Sequence, residues 1–272
     1  MPPVARGMMA AAVSNSGTGV TGFFLPSRTG YSRSEALSDA IVHGVGLAAA
    51  LLAVPILILR SWSQGVELPG IAALAIYGVA LIAMILCSTL YNMTHPARWS
   101  EVLRRLDHSA IYVKIAATYT PFALISPEPA GWFLLWIWGC AGLGAALRSF
   151  AGDFWRGPAI GLYLVMGWSG AVAGGALFEG MSPTVFALIL GGGILYTIGF
   201  VFHLSPRMPF HRTIWHVFVI GASAVLFAAV AAHALGRPGP GALQVTVEAE
   251  THAAGSPANG LQPRRQDAVR PG

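Results

Sequence analysis

The chain has 272 residues, of which 55% are apolar and only 10% charged, with a formal net charge of +5. Soluble domains carry about 25% charged residues, so a content this low excludes a soluble domain and implies a polytopic membrane protein. The positive balance comes from arginines scattered through short connections, with no dense or aromatic-interleaved patch, which excludes nucleic acid as a partner.

Residues 1–33 are rich in Gly, Ser and Pro and read as a disordered tail. No continuous apolar core precedes the polar Ser14–Gly19 stretch, so this start reads as a tail and not as a cleaved signal. SRSEALSDAIVHG then opens a helix, with Ser34 or Ser38 as its cap and Glu35 and Asp39 near the positive end of its dipole. Apolar runs predict seven spans, at about 40–59 (bent at Pro55), 71–92 (ending in CSTLYN), 107–125 (broken at TPF), 131–147, 158–178, 183–203 and 214–235. The glycines of GCAGLGA, GWSGAVAGG and LGGGILYTIG let helices approach closely, and no strand–turn–helix context makes them a nucleotide loop. Residues 236–272 form a second disordered tail. The expected fold is all-α, a seven-transmembrane-helix bundle over residues 34–235.

Loop charge orients the bundle. Arg98, Arg104, Arg105, Arg148, Arg156, Arg207 and Arg212 fall in the even connections, whereas the odd ones hold Arg60 and Glu67, Glu128 and Glu179. The positive-inside rule then puts the N-terminus inside, the C-terminus outside, and the protein in the cell (inner) membrane.

With that topology the inner face collects Glu35, Asp39 and His43 from span one, and Ser88, Asn92 and His95 from the end of span two. It also receives Asp107 and His108 from span three, and His211 and His216 from the approach to span seven. Imidazole and carboxylate around an open position are the ligands of a catalytic zinc. Asp39 and His43 are i,i+4 neighbours, as are Ser88 and Asn92, so each pair shares a helix face. His211 and His216 would diverge by about 140° on one helix, and share an ion only if His211 lies in a non-helical approach after Pro209. Plainer roles stand beside these: His216 as a helix-end hydrogen-bonding group, Asp107 as a cap of span three, Lys114 as its buried partner or a snorkelling side chain. Trp132, Trp136, Trp155 and Trp215 read as an interfacial belt, and Cys87 and Cys140 as apolar-run residues outside any disulfide or CxxC pattern. Neither HExxH nor GxSxG occurs.

SDAIVHGVG, CSTLYN, RRLDHSAIYVKIAATYTPF, GGGILYTIGFVF and PFHRTIWHVFV, in this order, resemble the haemolysin III family, within the progestin and adipoQ receptor group. The resemblance covers about residues 34–235 and implies a zinc ion near the cytoplasmic helix ends. It implies as ligands a histidine ending the second span and two histidines starting the seventh, with an aspartate holding a zinc-bound water. Carried onto this chain, it picks out Ser88, Asp107, His43 and His216. Where the family reads STLYH this chain reads STLYN, placing Asn92 at the ligand position. Arg212 stands where the earlier late histidine is expected, one residue after His211. The resemblance thus implies a site of His216, His211, Asp107, His43 and Asn92, with His95 as another source of the missing nitrogen.

Three functions follow as expectations. A metal-activated water, with Asp107 orienting it or taking its proton and Ser88 bonding a ligand or the substrate carbonyl, would hydrolyse an amide or ester bond of a membrane lipid, a ceramidase-like activity. Ser88 as nucleophile is disfavoured because Asn92, one turn away, is no base. Alternatively the metal is structural and the protein receptor-like or homeostatic, or the protein is a pore-forming factor. The expected partner is a membrane lipid or fatty-acid-like ligand inside the bundle.

Overall fold

The computed structural model describes residues 32–93, 99–125, 130–150, 155–173, 181–205 and 207–236. The proposed tails, apart from a few residues at their inner edges, and His95, Arg98, Glu128 and Glu179 lie outside the described residues.

Seven α-helices are present among them: α1 Arg33–Ser63, α2 Leu68–Met93, α3 Ser100–Leu124, α4 Gly131–Phe150, α5 Arg156–Ala173, α6 Pro183–His203 and α7 His211–Leu235. Five of these, α1, α2, α4, α6 and α7, are long and apolar enough to cross a membrane, and α5 contains a shorter apolar stretch, Gly157–Val172. Successive helices alternate in direction. The start of α1 touches the start of α7, the end of α2 touches the start of α1, and the start of α5 touches the start of α3.

The first helix is set by its cap, and the cap is neither serine expected from the sequence. Ser32 accepts from the Glu35 amide (3.2 Å) while Glu35 Oε2 accepts from the Ser32 amide (2.9 Å), a reciprocal capping box. Pro55 lies inside α1 and Pro121 inside α3, so the break expected at TPF does not interrupt the helix. In α3 the helix ends three residues after Pro121, at Leu124.

Helix α3 is the central element. It packs against α2, α4, α5 and α7, and buries Tyr112, Lys114 and the run Ala116–Ala123. It starts at Ser100, seven residues before the apolar pattern begins, because Glu101 bonds both Arg104 and Arg105 (2.7 and 2.9 Å) at helical spacing and stabilises a charged first turn. Those charges and Asp107, His108 and Lys114 lower its hydropathy. Its surrounding helices supply the apolar exterior: Leu52 of α1 is 69% exposed, Leu135 of α4 80% and Val172 of α5 88%. Such a surface is unsuited to water and suited to lipid.

Small residues at the crossings bring α3 and its neighbours together. A Cβ on Gly144 of α4 would lie 2.3 Å from the Tyr112 ring of α3, and one on Gly192 of α6 would lie 2.6 Å from Leu226 of α7. Gly139, Gly142, Gly161 and Gly167 would meet nothing, so only some of the glycines serve close packing.

Candidate metal centre and internal cavity

The connection into α7 begins the site. Phe210 holds φ 58° in the left-handed region, which a residue with a large side chain rarely adopts. Its amide is anchored by Glu35 Oε1 at 2.9 Å, so the carboxylate that closes the α1 cap also fixes where α7 starts. Ser38 and Thr213 hydroxyls meet at 3.2 Å one turn further along. A turn beyond that, Asp39 Oδ1 accepts from His216 Nδ1 at 2.5 Å.

Asp39, His43 and His216 form a cluster whose ligand atoms all lie within 4.8 Å of one another, and all three residues are buried. The two imidazole rings meet edge to face, centroids 4.3 Å apart. His43 Nδ1 lies 2.8 Å from the backbone oxygen of Asp39. A carbonyl can only accept, so this nitrogen carries the hydrogen and Nε2 presents its lone pair. Ser88 of α2 therefore donates its hydroxyl to His43 Nε2, at 3.1 Å. Asn92 donates its amide to Ser88 O (2.9 Å) and to Ser88 Oγ (3.3 Å), which completes the orientation of that hydroxyl.

This donor set fits a zinc ion. Two imidazoles and one carboxylate, a set that leaves a fourth coordination position to water or substrate, are typical of catalytic zinc. The bonds from His216 Nδ1 to Asp39 and from His43 Nδ1 to the Asp39 carbonyl are also the supports that orient ligating histidines.

The residues expected from sequence distribute as follows. His43 and His216 meet, and their third member is Asp39, paired with His43 at i,i+4 in the sequence but not among the ligands that the resemblance implies. Asp107 lines the same cavity as His43, Ser88, Asn92 and His216 but stands outside the three-residue cluster. It is not a cap of α3, since the helix begins seven residues earlier behind Trp99. His211 is the first residue of α7, on one continuous helix with His216, and its Nδ1 faces the Met208 carbonyl at 3.1 Å. Asn92 is one step removed, acting on Ser88. Ser88 does have an imidazole beside it, since its hydroxyl donates to His43 Nε2 at 3.1 Å, but that lone pair is also the one His43 would offer an ion.

His43 and His216 open on an internal cavity of about 300 Å³ with a predominantly apolar wall. Trp215, expected in a surface belt, lines it together with Trp168 and Tyr196. Lys114 also lines it, 2% exposed, so it does not snorkel. Its Nζ sits 4.7 Å over the Tyr196 ring, whose hydroxyl bonds Ser223 at 2.6 Å.

Fold and site together define a multi-pass, all-helical membrane protein with a buried Asp–His–His cluster above a lumen. The profile of the family described as Haemolysin-III related matches residues 31–227. Hemolysin-3 of Bacillus cereus is 38% identical over 196 residues, covering 71% of this chain and 89% of that protein. Hemolysin-3 homolog of Bacillus subtilis (strain 168) is 36% identical over 200 residues, covering 72% and 93%. The human Monocyte to macrophage differentiation factor is 30% identical over 164 residues, covering 57% and 67%. The chain belongs to the haemolysin III family.

Proposed function

We propose that this protein spans the cell (inner) membrane seven times, with a cytoplasmic N-terminus and external C-terminus, and hydrolyses an ester or amide bond of a membrane lipid at a zinc site. One observation carries this reading: two histidines supported by one carboxylate face an apolar cavity inside a membrane bundle. The orientation rests on the arginine-rich even connections.

Asp39, His43 and His216 would hold the ion, which when bound supplies a Lewis acid for a carbonyl and an acidified water. The chain's own groups do the rest. Asp107, on the cavity wall, takes the proton of the attacking water and returns it to the leaving alcohol or amine. Ser88, oriented by Asn92, donates to the substrate carbonyl when His43 Nε2 is engaged elsewhere. The apolar wall holds the acyl chain and excludes bulk water.

A second reading is favoured by where the cluster sits. It joins the first helix to the last, as a structural ion in a receptor-like protein would. Metal analysis of the purified protein, with hydrolysis of a long-chain N-acyl amide and its ester counterpart, separates the two. The hydrolase reading expects about one zinc per chain, turnover of at least one substrate, and loss of both in Asp39→Asn. Zinc without turnover leaves the structural reading, and absence of zinc sinks both.

A further inference from the structure

Lys114 is not used by the metal centre. It lies seven residues beyond Asp107 on α3, or about 10 Å deeper at about 1.5 Å per residue. It is 2% exposed and lines the cavity, and among the described residues no carboxylate pairs with its amine, which rests on the face of Tyr196. A ring face attracts a cation but replaces neither its hydration nor a counter-ion. Ionisable groups inside a membrane bundle are costly and are retained where they meet a charge or a ligand.

The surroundings say what kind of anion. The wall includes Ile111, Ile115 and Val219, with Met84, Phe122 and Leu226, and its threonine hydroxyls are spent on their own helices: Thr118 donates to the Lys114 carbonyl and Thr197 to that of Gly193. The cavity's two guanidiniums, Arg148 and Arg212, sit in the last turn of α4 and the first turn of α7, so at the depth of Lys114 a phosphate, with several oxygens to satisfy, would meet one amine. A carboxylate is answered by a single ammonium, and an acyl chain fits the apolar end.

We propose that Lys114 is an anion-binding subsite for the carboxylate of a long-chain fatty acid, lodged with its head at Lys114 and its chain toward Phe122 and Leu226. The subsite is separate from the Asp39–His43–His216 cluster and does not depend on a metal there. Its occupant comes from the bilayer or from the protein's own hydrolysis.

The test uses the full chain in nanodiscs. Trp168 and Trp215 line the cavity, so a bromine-labelled stearate in the lumen quenches their fluorescence. The corresponding brominated stearyl alcohol is the uncharged control. Wild type should bind the acid at least tenfold more tightly than the alcohol. Lys114→Met should erase that preference while leaving alcohol binding unchanged, and Lys114→Arg should keep it. If Lys114→Met does not fold, Lys114→Gln takes its place, with the same loss of acid preference expected. Equal binding of acid and alcohol, or competition by acetate as strong as by the fatty acid, overturns the subsite. Mass spectrometry of lipid extracted from purified Asp39→Asn then assigns the source. A retained fatty acid comes from the bilayer, and a lost one from hydrolysis, with binding at Lys114 standing in both cases. Should the parent protein hold no zinc yet prefer the acid, the proposed hydrolase fails and the subsite survives.

Discussion

Two of the polar places inside this bundle are buried alike: Asp39, His43 and His216 are 7%, 2% and 8% exposed, and Lys114 is 2% exposed. They differ in what answers them. At the α1–α7 end, His216 and His43 both bond Asp39, Ser88 bonds His43, and Asn92 bonds Ser88. Lys114 has a ring face and an open lumen. Burial alone therefore does not tell a protein what a polar group is for. Where the partners are protein, the group is held in one geometry, as a metal ligand must be. Where a buried cation meets only a ring face and a cavity wall, it points to a ligand of opposite charge.

Stability breaks this comparison most forcefully. His216→Leu removes the partner of a buried carboxylate, and stranding such a charge costs about 3–5 kcal/mol. Lys114→Met removes an unpaired buried cation and fills its space with an apolar chain, so its effect should fall within about 1 kcal/mol or be stabilising. Denaturant unfolding of both variants in the same detergent measures the difference. Equal losses would mean that Lys114 has a protein partner after all.

The second test sharpens the metal end. Asn92 stands where the resemblance expects a histidine, and its amide now serves Ser88. Asn92→His exchanges those bonds for a nitrogen beside the Ser88–His43 pair. Zinc should bind about tenfold more tightly, worth about 1.4 kcal/mol, and zinc should raise the melting temperature further than in the parent. An unchanged affinity would show that Asp39, His43 and His216 already complete the set.

How much of this was legible follows from the range over which each interaction acts. The order and approximate extent of the seven helices come from local hydropathy: α1, α2, α4 and α7 run past the expected spans, α6 matches its span, and α5 is described to Ala173, with 174–178 of its expected span outside the described residues. The start of α3 was missed because its first turn is held by Glu101 with Arg104 and Arg105, a polar device that hydropathy reads as loop. His43 and His216 were legible as polar residues in apolar helices. Asp39 was visible as an acid near a helix start, with a sufficient local reason to be there. Its bond to His216 joins residues 177 positions apart and leaves no local pattern. The same holds for Ser88, whose imidazole partner comes from another helix, 45 positions away.

The smallest effect concerns how the metal end is kept in register. Glu35 divides its two oxygens: Oε2 accepts from the Ser32 amide and hydroxyl, and Oε1 accepts from the Phe210 amide. All of these partners donate. Glu35→Gln keeps the length of the side chain but turns one accepting oxygen into a donating NH₂. That group would then face a donor, so either the α1 cap or the Phe210 anchor is lost. Losing the anchor leaves Phe210 in its left-handed conformation with less to hold it, and the first turn of α7, which leads to His216, loosens. Zinc affinity should fall no more than a few-fold, and amide exchange should quicken in the first turns of α7 while the rest of that helix stays protected. Glu35→Asp, too short to reach both partners, should behave like Glu35→Gln. Unaltered exchange at the start of α7 in both variants would show that Ser38 and Thr213, not Glu35, align the two helices.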